Sequence, residues 1–146
     1  MAASILVTEQ IDAGRRLIDA LDAAGDAVDA AFWVLHDAFE DWRLCLSFVN
    51  PPHDQIRMLM NIAAIIRRLD LSQTLDSSLV RLVRSGDTYL DAIQRDALSM
   101  RQFGPEKGPN SRVRRVRGST LAGVYFEDAF IYRARNPDTA GQEAVA

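Results

Sequence analysis

The stretch that decides the fold is SRVRRVRGSTLAGVYFEDAFIYRAR, residues 111–135. It combines β-branched and aromatic residues with turn-forming residues and has little helical periodicity, which is typical of strands. Residues 118–123 are small and polar and predict one turn, and the adjacent acids Glu127 and Asp128 predict a second. We therefore expect three short strands in the middle or at one side of a sheet that carries the earlier helices: residues 112–117, 124–126 and 129–132.

The first of these strands is rich in arginine. Side chains alternate between the two faces of a strand, so neither face of residues 112–117 is cleanly apolar. An unpaired arginine is costly to bury, and we therefore expect this strand at an edge of the sheet. Arginine offers planar, bidentate contacts to phosphate, but charge on an edge strand also prevents aggregation. The candidate residues for binding nucleic acid or another anion are Arg112, Arg114, Arg115, Arg117 and Lys107.

The amino-terminal half predicts a helix and a hairpin. Apolar residues at three- and four-residue steps predict an amphipathic helix over Thr8 to Ala24, with Thr8 as its N-cap. The apolar run 30–35, a polar turn and the alternating segment 42–49 predict an antiparallel hairpin. Four side chains of the second strand are expected in the core against the first helix: Trp42, Leu44, Leu46 and Phe48.

The middle of the chain predicts a second and a third helix with a short strand between them. Pro52 precedes a helix that runs to Asp70, and its apolar face is wide enough to predict either the central helix of the core or a dimer contact. Residues 79–83 predict a strand and residues 88–100 a third helix. Residues 103–110, rich in glycine and proline, predict a flexible loop, and the tail 136–146, which has no apolar periodicity, is expected to be disordered.

These elements predict a single α+β domain over residues 1–135. The expected order is α, β, β, α, β, α, β, β, β. The sheet should be mixed or mainly antiparallel, with about five to six strands and three helices packed mainly on one face.

The composition is that of an ordinary globular domain. The chain has 146 residues, of which 48% are hydrophobic and 25% charged, so it can build a core of its own. Its apolar runs are too short for a membrane span and no signal peptide is evident, which predicts a cytoplasmic protein. Sixteen arginines against one lysine, with many alanines, suggest a bacterial coding sequence.

The net charge of −3 is unevenly distributed. The sums are −6 over residues 1–50, zero over residues 51–100 and +3 over residues 101–146. The two ends could therefore attract each other, within one molecule or between two copies, as readily as they attract a ligand.

No motif predicts catalysis or a cofactor. The histidines, His36 and His53, lack the spacing of a metal site. Cys45 lies in mid-strand, where it is expected to be a packed thiol and not a nucleophile. The segment 118–123 could wrap an anion with its N–H groups, but a plain connection between strands is the simpler interpretation.

Two segments carry a resemblance: AFWVL, residues 31–35, followed by an acidic turn and WRL, residues 42–44, together with GVYFEDAFIY, residues 123–132. In these packing patterns the chain resembles a group of small bacterial α+β proteins with no assigned activity. The resemblance implies the fold and no function.

Three hypotheses remain open. The first is a non-enzymatic binding or assembly module that pairs with itself, as a homodimer, or with another protein through a sheet edge or the second helix. The second is a nucleic-acid-binding protein that uses the basic strand. The third is a small hydrolase or transferase with a pocket between helix and sheet.

Overall fold

The structure, a computed structural model, describes residues 6–36, 41–103 and 114–136. Within these ranges the helices are α1 (Thr8–Ala23), α2 (Gln55–Arg68) and α3 (Thr88–Phe103), and a short 3-10 helix spans Ser77–Leu79. The strands are β1 (Val28–His36), β2 (Asp41–Phe48), β3 (Val80–Leu82), β4 (Arg114–Leu121) and β5 (Val124–Arg133). The α+β class is confirmed.

The five described strands form one mixed sheet in the order β3-β2-β1-β5-β4. β2 and β3 are parallel, and α2 makes the crossover between them. The other neighbours are antiparallel, which confirms the hairpin of β1 and β2. β4 lies at one edge of the sheet, as predicted for the arginine-rich strand.

The central strand β1 is buried on both faces, which explains its apolar run at residues 30–35. Trp33 and the strand residues two positions before and after it share a core with α1 and α2. Phe32 and Val34, which point to the other face of the sheet, share a second core with α3. Two helices thus cover one face of the sheet and the third covers the other. The predicted core residues of β2 are buried on the face of α1: Trp42, Leu44, Leu46 and Phe48.

A glycine lets α1 approach the sheet closely. A Cβ on Gly14 would stand 2.3 Å from the Tyr132 hydroxyl oxygen and 3.2 Å from Trp33 Nε1. That hydroxyl accepts a hydrogen bond from Trp33 Nε1 (2.9 Å) and donates one to the Ile11 carbonyl. The strand residue Tyr132 therefore joins the central strand to the backbone of α1.

The carboxy-terminal block differs from the prediction in its number of strands. It forms two long strands in the described part, joined by a turn at Ala122 and Gly123, whose φ angles are +48° and +84°. Positive φ at both positions is the type I′ geometry that suits a two-residue hairpin. The predicted turn at Glu127 and Asp128 was wrong, because these residues lie within β5 and continue the ladder.

The predictions for two helices also need correction. α1 begins at Thr8 as a helical residue, so Val7 and not Thr8 is its N-cap. α2 is not the central helix of the core, because it buries only Ile62, Ile65 and Ile66 fully. The predicted loop beyond Phe103 and the predicted tail beyond Asn136 lie outside the described residues.

Candidate functional site

The arginines of β4 are divided between the two faces of the sheet. Arg114 points toward α3 and forms an ion pair with Asp96 of that helix. Arg115 points to the opposite face, where it forms an ion pair with Asp128 of β5. The described arginines therefore do not form one common exposed surface.

Arg115 is the most firmly held of them. Its Nε and Nη2 donate to the two carboxylate oxygens of Asp128 at 2.7 and 2.8 Å, and its guanidinium carbon lies 5.7 Å from the centre of the Trp42 ring. The hydrogen bond to Asp128 raises the pKa of the Arg115 guanidinium above its ordinary value. A bidentate, stacked arginine of this kind stabilises the hairpin and is poorly placed to bind a foreign phosphate.

Arg117 is the most accessible arginine of the described strand. Its side chain is 70% exposed, and its Nε lies 3.6 Å from the same Asp128 carboxylate. An exposed pair at this distance is worth little, so its guanidinium stays available to a partner. The other two predicted anion-binding residues, Arg112 and Lys107, lie outside the described residues.

Sequence reasoning missed the acids that neutralise this strand. The turn predicted at Asp128 does not form, and the two-residue turn at Ala122 and Gly123 sets a register in which Arg117 stands directly opposite Asp128. The sequence signal that could have predicted the pairing of Arg117 with Asp128 is Ala122-Gly123, because a two-residue hairpin turn fixes every cross-strand pair that follows it. Asp96 comes from α3, and no local pattern indicates that contact.

The proposed anion-wrapping segment 118–123 is mostly strand. Ser119 and Thr120 pair with Phe126 and Tyr125 of β5, so these residues form part of a ladder and not a nest around a ligand. Only Ala122 and Gly123 form the turn. The simpler interpretation, a connection between strands, describes this segment.

Cys45 is buried in the second core, as predicted for a packed thiol. Burial raises its pKa to about 12, against the lesser opposing effect of nearby Arg81. A thiol with this pKa is protonated at neutral pH and is a poor nucleophile.

The described residues contain no group of three or more His, Cys, Asp or Glu that could hold a metal ion. His53 is exposed just before α2, where it lines a shallow cleft of about 370 Å³ with Asp26, Asp54 and Asn61. Asp54 caps α2 by accepting a hydrogen bond from Arg57 N (3.1 Å). Asp54 therefore has a structural role already as the N-cap of α2.

The outer face of α2 exposes an apolar stripe, which we define as Ile56, Met60 and Ala64. These residues are four positions apart and share one face of the helix. Ile56 is 72% exposed and Met60 68%, and Ala64 is exposed as well. The apolar face predicted for this helix thus divides into a buried part and a part that faces outward.

Comparisons with models of protein families, with curated proteins and with solved structures found no match to this chain. No helix in the described ranges is long and apolar enough to cross a membrane. Inferences about the function of this protein therefore rest on the fold and on the surfaces described above.

Proposed function

We propose that this protein is a non-enzymatic assembly module that pairs with a second copy of itself through the exposed stripe of α2. The observation that carries the proposal is the exposure of Ile56 and Met60 on one face of a regular helix. Two large apolar side chains in adjacent turns are costly to leave in water and are typical of a helix that meets a partner. A partner protein that offers a similar helix could use the same stripe.

An antiparallel pair of α2 helices suits the sequence of the stripe. With Met60 on the two-fold axis, Ile56 of one copy faces Ala64 of the other, so a large side chain meets a small one. The same arrangement brings Arg67 and Arg68, in the last turn, toward the first turn of the other copy, which Asp54 caps. Opposite charges and antiparallel helix dipoles then favour the pair.

The edge of β4 is a poorer surface for assembly. Gly118 has a φ of +54°, which interrupts the regular extended backbone in the middle of the strand. Arg117 projects from the same segment. Charge and backbone irregularity on an edge strand are the means by which proteins prevent strand addition.

The experiment is a measurement of molar mass by light scattering and sedimentation over a range of protein concentrations. We expect a dimer for the natural chain and a monomer for Met60→Glu, because the substitution places two carboxylates on the axis. The control is Leu98→Glu, which changes another exposed apolar residue, 43% exposed on α3, and should leave the dimer intact. Met60→Cys should form a disulfide-linked dimer on oxidation, whereas Leu98→Cys should not. A natural chain that stays monomeric at roughly 100 μM, well above the concentrations at which stable dimers form, would refute self-pairing.

Nucleic-acid binding through residues 112–117 is the second candidate function. The edge position of β4 and the exposure of Arg117 favour it, while the ion pairs of Arg114 and Arg115 with acids oppose it. Its test is the joint replacement of the four arginines of this strand by alanine. Salt-sensitive binding to DNA or RNA that disappears in the variant would support this function.

We further propose a cytoplasmic location in a bacterium. A buried, unpaired thiol at Cys45 suits a reducing compartment. The resemblance to small bacterial α+β proteins agrees with this proposal and stays a prediction.

A further inference from the structure

The exposed stripe of α2 carries a sulfur atom at its centre. Met60 is 68% exposed and lies between Ile56, one turn before it, and Ala64, one turn after it. A thioether that reaches solvent reacts with small oxidants, whereas the hydrocarbon side chains of isoleucine and alanine do not. The stripe therefore contains one position where its apolar character can be changed chemically.

Two other sulfur-containing side chains are less accessible than that of Met60. Met58 is half-buried and packs against the core that α1 and α2 share with the sheet. Cys45 is buried in the second core, where burial raises its pKa to about 12 and keeps the thiol protonated at neutral pH. An oxidant in solution therefore reaches the Met60 sulfur before those of Met58 and Cys45.

We propose that peroxide oxidises Met60 to its sulfoxide and that this modification separates the two copies of the α2 pair. The inference rests on the self-pairing proposed above and names its regulation. The Met60 sulfur attacks one oxygen of hydrogen peroxide, the O–O bond breaks, and the other oxygen leaves as water. The sulfur loses two electrons to the peroxide and keeps the new oxygen as an S=O group.

The S=O group does not fit the centre of the pair. Met60 lies on the two-fold axis, so an oxidised pair would bury two sulfoxide oxygens next to each other. Ile56 and Ala64 have no side-chain donor for these oxygens. Arg57, three positions before Met60, lines the cleft beside Asp54. A buried polar group without a hydrogen bond is costly, and in the single chain the same oxygen is solvated by water, so oxidation favours the single chain.

Pairing and oxidation of Met60 therefore oppose each other. The pair covers the sulfur that the single chain exposes, so oxidation proceeds from the single chain and should slow as the protein concentration rises. Methionine sulfoxide is reduced by thiol-dependent reductases, which makes the change reversible. Peroxide would shift the population from pairs to single chains, and reduction would restore the pairs.

The experiment treats the full chain with hydrogen peroxide and measures its molar mass by light scattering before and after. We expect a dimer before treatment and a single chain after it, with a dissociation constant at least about thirtyfold higher, because two unpaired oxygens would be buried in each pair. Reductases for both sulfoxide epimers, with dithiothreitol, should restore the dimer. Tandem mass spectrometry of the tryptic peptide 58–67, which contains both residues, should show faster oxidation of Met60 than of Met58.

Two variants separate the oxidation of Met60 from other effects of peroxide. Met60→Leu keeps the apolar bulk and every other methionine, and it should stay dimeric in peroxide. Met60→Gln, which places an amide oxygen close to the position of the sulfoxide oxygen, should be monomeric without peroxide. A dimer that persists after complete oxidation of Met60, or a Met60→Leu chain that dissociates in peroxide, would overturn the switch and leave self-pairing intact. An untreated natural chain that is monomeric would refute self-pairing, and the switch with it.

Discussion

The contact between Gly14 and Tyr132 makes Gly14→Ala the most informative single substitution for the fold. In an exposed helix interior this change would stabilise the chain by about 1 kcal/mol, because alanine is the better helix former. Here the new Cβ would stand 2.3 Å from the Tyr132 hydroxyl oxygen and 3.0 Å from its Cζ. The ring or the helix must move, which reverses the sign of the effect.

The magnitude follows from two costs and one gain. Overpacking a core costs about 1–3 kcal/mol. Displacing the hydroxyl also weakens its bonds with Trp33 Nε1 and the Ile11 carbonyl, at about 1–3 kcal/mol for a buried polar group left unpaired. After subtraction of the helix gain, we expect the free energy of unfolding to fall by about 1–5 kcal/mol, which lowers the melting temperature by roughly 3–20 °C.

The assay is urea unfolding followed by tryptophan fluorescence, since Trp33 is in contact with the changed site. Tyr132→Phe is the matched background, because it removes the oxygen that the Cβ would meet first. In that background the loss caused by Gly14→Ala should shrink by more than about 1 kcal/mol, a coupling expected only of residues in contact. A Gly14→Ala chain that is as stable as the natural one would refute the close approach of α1 to the sheet.

Three further predictions test other contacts. Cys45 should resist thiol reagents in the folded chain at pH 8 and react on unfolding. Because the Cys45 thiol keeps its proton to a higher pH in the folded chain than in the unfolded chain, the free energy of unfolding should fall between pH 9 and about 12. The Cys45→Val variant should show a smaller decline over this pH range. Ala122→Asn should raise the free energy of unfolding by about 0.5–1 kcal/mol in urea titrations, because asparagine tolerates positive φ, whereas Gly123→Ala should lower it. Asp128→Asn should lower it by about 1–2 kcal/mol through loss of the bidentate pair with Arg115, and a result within error of the natural chain would show that the pair contributes nothing.

The local patterns of this chain predicted most of its elements. The continuous apolar run of β1 and the alternation of β2 are set by residues next to each other in sequence, and they predicted a hairpin that the structure contains. The same holds for α1, whose apolar residues recur with the period of a helix. The mixed charge of residues 112–117 predicted an edge strand for a reason that is also local, since arginine cannot be buried unpaired.

What the sequence could not predict depends on contacts between distant residues. The pairing of Arg114 with Asp96 arises only when α3 is placed against the sheet. Likewise, the sequence of α2 predicts one wide apolar face. The position of α1 and of the sheet decides which part of that face is buried and which part stays exposed to water. Periodicity gives the direction of each side chain on its own element, whereas the partner it meets is decided by the tertiary fold.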